Sequence, residues 1–86
     1  MARAQSNMKL SVYSLKKILF ADQAVLLNCK TAMGEITVLD NHETYIGVLK
    51  PGTMKVVDAQ QKEHFFEIQS GFVEVRQGNE VRCMVE

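Results

Sequence analysis

Short runs of alternating apolar and polar residues, each ended by a turn former, constrain this chain more than any other feature. Leu10 and Val12 alternate with Lys9, Ser11 and Tyr13, and Val81, Cys83 and Val85 alternate with Arg82, Met84 and Glu86. A period of two sends successive side chains to opposite faces of an extended backbone, so each run predicts a strand with one dry face and one wet face. The same pattern predicts strands over 35–39, 44–49, 53–58, 63–69 and 72–76.

Between the runs stand residues suited to reversing the chain. They are Asp40 with Asn41, Pro51 with Gly52, the stretch 58–61, Ser70 with Gly71, and Gln77, Gly78 and Asn79. Connections this short predict antiparallel neighbours. The hairpin over 77–79 is the clearest, because Gly78 supplies the left-handed residue that a three-residue loop requires.

Residues 14–27 support two readings. Leu15, Ile18, Leu19 and Leu26 share one helical face, but Asp22 interrupts it. We prefer strand, turn, strand: Ile18, Leu19 and Phe20, then a turn at Ala21, Asp22 and Gln23, then Val25, Leu26 and Leu27. The whole is then an all-β fold, a small antiparallel β-sandwich of two packed sheets with about ten short strands. The expected layout is an N-terminal lead over 1–7 and one sandwich domain over 8–86. With 86 residues there is room for a single core.

Charge narrows the range of partners. Ten Lys and Arg balance ten Asp and Glu, which leaves no electrostatic footprint for nucleic acid. No apolar run approaches the ~20 residues that span a bilayer as a helix, so direct membrane insertion is not expected.

Candidate chemistry is sparse. Cys29, His42, His64 and Cys83 could be assembled on paper into a zinc site. No two of them lie closer than about a dozen residues, however, and metal ligands usually come in closely spaced pairs. Both cysteines fall in apolar-patterned segments and are expected to be buried thiols. His64, beside Phe65 and Phe66, is expected to be a structural strand residue, and His42, in a polar turn, a candidate partner contact. No nucleophile elbow, phosphate loop or dinucleotide fingerprint occurs. Glu35 has no neighbour to make it a general base and is expected to be a surface or interface charge. Met8, Met33, Met54 and Met84 are expected to fill core or interface gaps. Pattern alone therefore ends at a small β-sandwich without a visible active site, which a free-standing interaction module would also satisfy.

From Met8 onward the chain resembles the N-terminal domain of the F-type ATP synthase epsilon subunit. The resemblance is carried by Met8 to Val12, by Ile18, Leu19 and Phe20, and by Gly34, Glu35 and Ile36, leading through Val38 and Leu39 to His42. Leu49, Lys50, Pro51 and Gly52 follow, then Val56, Val57 and Asp58, then Ser70, Gly71, Phe72, Val73, Glu74 and Val75. The chain departs from the family at Thr37, where a second glycine is usual. It departs again at Asp40 and Asn41 in place of Pro-Gly, and at Glu43 and Thr44 in place of Ala-Pro. Asn41 can still serve as a positive-φ turn residue.

The resemblance implies a non-catalytic rotor part that couples the gamma subunit to the polar loops of the c-ring, with no cofactor or metal. It would sit at the cytoplasmic face of the bacterial inner membrane. The family's C-terminal two-helix hairpin, which carries inhibition and ATP sensing, is not in the sequence, so neither behaviour is expected of these residues. Carried over position by position, the gamma and c-ring contacts fall on Thr31, Ala32, Met33, Glu35, Leu39, Asp40, Asn41 and His42.

Overall fold

A computed structural model describes residues 7–40 and 42–86. The expected lead over 1–7 falls outside the described residues except for Asn7. Asn41, expected to turn the chain with positive φ, also lies outside them.

The alternation at the start of the chain becomes strand β1, Met8–Tyr13, whose Met8, Leu10 and Val12 are buried. After it come β2 (Ile18–Thr31), β3 (Gly34–Val38), β4 (Tyr45–Leu49), β5 (Gly52–Asp58), β6 (Glu63–Ile68), β7 (Gly71–Arg76) and β8 (Glu80–Val85). The described residues thus form eight strands, not ten.

The difference lies mainly in β2, which at 14 residues runs straight through the turn expected at Ala21, Asp22 and Gln23. Those three pair with Ser11, Leu10 and Lys9 of β1. A ladder partner keeps the chain extended where its side chains, all exposed, have the composition of a loop. The helical alternative for this segment is likewise replaced by strand. Two irregularities bend β2: Leu19 is skipped in its pairing with β1, and Val25 in its pairing with β5. Such bulges increase local twist and turn a strand from one layer toward another.

β2 therefore belongs to both layers. Its first half pairs with β1, which continues through β8 and β7 to β4; its second half lies between β3 and β5, with β6 beyond. At its end Thr31 pairs with Leu49 of β4. There the Ala32 N–H donates to the Val48 carbonyl and the Lys50 N–H to the Lys30 carbonyl, each at 2.9 Å. This contact closes a hydrogen-bonded ring of β2, β1, β8, β7 and β4. One pair, β1 with β8, is parallel, a departure from the uniformly antiparallel expectation.

Short connections do not all join neighbours either. β1 and β2, β2 and β3, β5 and β6, and β7 and β8 are hairpins, but β3 and β4, β4 and β5, and β6 and β7 are joined without pairing with each other. The loop over 77–79 is as expected, with Gly78 at φ 84°, and Asn79 joins it in the left-handed region at φ 57°. Gly71 is required for a different reason: a Cβ there would land on the Met84 carbonyl oxygen of the paired strand.

Inward residues from every strand meet in one core, including Leu27, Val38, Met54, Val56, Ile68, Val73, Val75 and Val81. Cys29 and Cys83 lie in it as free, buried thiols, as the sequence led us to expect. Each large aliphatic side chain removed from water here stabilises the fold by roughly 1.5–3 kcal/mol.

Candidate functional site

The residues assigned to partner contact begin at the tip of the β2–β3 hairpin. Thr31 is buried, and its hydroxyl donates to the Gly34 carbonyl at 2.7 Å while accepting from the Met33 N–H at 3.1 Å. The Tyr45 hydroxyl reaches the same oxygen at 3.3 Å. Thr31 thus anchors the turn from within. What it presents is Ala32 and Met33, the latter 86% exposed. An apolar side chain held that far into water by a bonded turn is a plausible docking point.

Glu35 stands one pair from the tip, opposite Lys30, and accepts a hydrogen bond from the Asn28 amide at 3.0 Å. The same amide also bonds Thr37 Oγ1 at 3.0 Å and the Ile36 carbonyl at 3.3 Å. Thr37, where the family usually carries glycine, thereby helps to fix Asn28 and through it Glu35.

The second part of the assigned segment is elsewhere. Leu39 is 49% exposed, Asp40 is half-buried, and His42 is exposed with Nδ1 2.7 Å from the Glu43 carbonyl. β3 separates these residues from Met33, and at about 3.3 Å per residue a five-residue strand holds the two groups roughly 16 Å apart. The assigned residues therefore form two patches at opposite ends of one strand.

A larger surface was missed. Ladder registers align Val48 with Phe72, Phe72 with Met84, Met84 with Tyr13, and Tyr13 with Ile18. These five side chains form one row across five adjacent strands, on the face away from the core. Ile18 is 70% exposed, Phe72 57%, Val48 50% and Met84 42%. Leu15 and Ile46 extend the apolar surface on either side. The available signal was the apolar residue at outward positions of otherwise alternating strands; placing those residues in one row required the register.

Other polar clusters are structural. Asp58 is buried at the β5–β6 turn, where its Oδ1 accepts from the Gln60 and Lys62 N–H groups and its Oδ2 lies 2.9 Å from His64 Nε2. The His64 bond, then the Lys62 N–H, hold the Asp58 carboxyl below its usual pKa. The His64 ring also meets Phe20 edge-on, with centroids 5.2 Å apart. Burial pushes Cys29 up to about 11, and burial followed by the proximity of Cys29 pushes Cys83 higher still, so neither is a ready nucleophile. Among the described residues no group of three or more His, Cys, Asp or Glu side chains is placed to hold a metal.

The family model for the ATP synthase delta/epsilon chain β-sandwich domain matches residues 7–86. The chain belongs to that family. Among curated delta/epsilon-type relatives, the ATP synthase epsilon chain of Desulfosudis oleivorans is 33% identical over 69 residues, covering 80% of this chain and 52% of that one. The epsilon chain of Brevibacillus brevis is 27% identical over 81 residues, covering 94% and 61%. The chain thus spans about half the length of the curated relatives it matches. Among solved structures, a chain of the Euglena gracilis mitochondrial ATP synthase, in an assembly of OSCP, F1 and c-ring, superposes with a TM-score of 0.87 at 21% identity. It covers 98% of this chain and 53% of its own length. A chain of the Tetrahymena thermophila central stalk and c-ring assembly gives 0.78 at 17% identity, with 96% and 66% covered. At these identities the two structures speak for the fold alone.

Proposed function

We propose that this chain is a non-catalytic central-stalk subunit of an F-type ATP synthase that ties the gamma subunit to the c-ring during rotation. The observation that carries the proposal is the five-strand apolar row on a sandwich of the delta/epsilon family. A surface of that kind suits a lasting, largely apolar interface.

The two kinds of surface suit two partners. The row, broad and apolar, is assigned to the gamma shaft. The hairpin tip, with Met33 protruding and Glu35 held beside it, is assigned to the polar loops of the ring, where the carboxylate sets orientation more than affinity. Leu39 and His42, beyond the other end of β3, make a second and smaller contact. A place in the central stalk is supported by the likeness in fold to a chain of the Tetrahymena central stalk and c-ring assembly. The proposed location is the cytoplasmic face of the bacterial inner membrane, at the periphery of the complex.

The test is co-purification of a tagged chain with gamma and the ring from a host lacking its own copy. Substituting Phe72→Asp is expected to remove both partners, whereas Met33→Ser with Glu35→Ala is expected to retain gamma and lose the ring. Retention of both partners by both variants would end the proposal.

A further inference from the structure

The apolar row is not electrically uniform. At its β1 and β2 end, a surface hollow is lined by Tyr13, Leu15, Lys16, Lys17, Ile18 and Arg82, with three cations and no carboxylate. The two lysines are exposed in the turn between β1 and β2, where the Ser14 hydroxyl accepts both of their backbone N–H groups at 3.2 Å. Their side chains have no ion pair among the described residues. Arg82 is exposed and likewise unpaired; its register partner Glu74 lies 3.9 Å from Arg76 instead.

The flank of the row along β4 and β7 differs. The hollow there is lined by Glu74, Arg76 and Glu80 together with Ile46. Arg76 lies between the two carboxylates, 3.7 Å from Glu80 and 3.9 Å from Glu74. Opposite charges are matched on this flank, displaced along the strands from the row, and unmatched around the β1–β2 turn at the end of the row.

We propose that the row seats an amphipathic helix of the partner subunit, laid across the strands, with its carboxylates over Lys16, Lys17 and Arg82. Five strands spaced about 4.8 Å apart make a row roughly 19 Å long, which matches about 13 helical residues. The apolar side chains stand in a line perpendicular to the strands, so one helical stripe can cover all of them. A bare cationic cluster at one end of that line favours one orientation of the helix, because the reverse would bring carboxylates toward Glu86, which lines the surface with Val48, Phe72 and Met84.

The inference rests on the gamma reading above and deepens it by naming the chemistry of the docked element. The experiment is calorimetric titration of the full chain with purified gamma subunit at about 50 and about 300 mM NaCl. Wild type is expected to bind more weakly at the higher salt. The triple variant Lys16→Glu, Lys17→Glu and Arg82→Glu is expected to lose roughly tenfold or more at low salt and most of its salt dependence. Phe72→Asp is expected to abolish binding at both salts. Unfolding temperature controls for folding, and a milder set, Lys16→Gln with Lys17→Gln, should fall between wild type and the triple variant.

If the triple variant binds gamma like wild type at both salts, the charged-helix inference is wrong while the gamma reading stands. If wild type does not bind gamma, the gamma reading itself fails. Sedimentation of wild type with phosphatidylglycerol vesicles, lost in the triple variant, would overturn the proposal in favour of a lipid surface. A dimer in sedimentation equilibrium, abolished by Phe72→Asp, would overturn it in favour of a second copy of this chain.

Discussion

β7 and β8 carry apolar side chains on both faces, and the two faces are used differently. Val73, Val75, Val81, Cys83 and Val85 point inward and are almost completely removed from water, whereas Phe72 and Met84 on the same strands remain largely in it. Burial makes the inner set stabilise the fold. The outer set contributes little to folding and stays at the surface, so the same alternation gives packing on one side and an exposed apolar row on the other.

The contrast breaks first if an inner substitution proves mild. Leu27→Ala, at the centre of β2 with Val38 on one side and Val56 on the other, is expected to cost about 2–5 kcal/mol in urea unfolding. Gly71→Ala should follow at about 1–3 kcal/mol, because the new methyl collides with the Met84 carbonyl, and amide exchange should quicken along β7 and β8.

Acid and alkali should act on groups of the inner side, and more gently. Asp58 has a depressed pKa, so its contribution is complete above the unfolded value of about 3.9 and is lost as pH falls through the lower folded value. Asp58→Asn should flatten that acid limb in a thermal scan. The thiols work in the opposite sense: folding disfavours the thiolate, so stability is complete below the ordinary value of 9.0 and declines as pH rises toward about 11 at Cys29. Alkylation of the native chain at neutral pH should be correspondingly slow. The smallest stability effect belongs to the outer face, where Phe72→Ser should shift unfolding by no more than about 0.5 kcal/mol while partner capture is lost. A large loss of stability there would show that the outer row belongs to the fold.

Legibility followed the same division. β1 and β8 were readable because one face is wet, and burial then writes itself into the alternation. β2 was misread at Ala21, Asp22 and Gln23, since side chains that face water on a strand look like those of a turn and the partner that keeps them extended, Lys9 to Ser11, is remote in sequence. The three layer crossings do not join the antiparallel neighbours that short connections predict, because chain length between strands says how near their ends are, not whether they pair. At the site, the resemblance points to Met33 and Glu35, which the structure leaves exposed, and to Thr31, whose hydroxyl it buries; the outer row needs the registers to assemble it, because each of its five strands contributes a single residue.

The strand shared by both layers sets how this molecule would answer a twisting force. Sliding one layer over the other would have to shear the ladders that β2 makes on either side of its bend or stretch the covalent chain through it. A torque applied at the outer row would therefore reach the hairpin tip along continuous backbone, and the apolar filling between the layers would carry only the compressive part of the load.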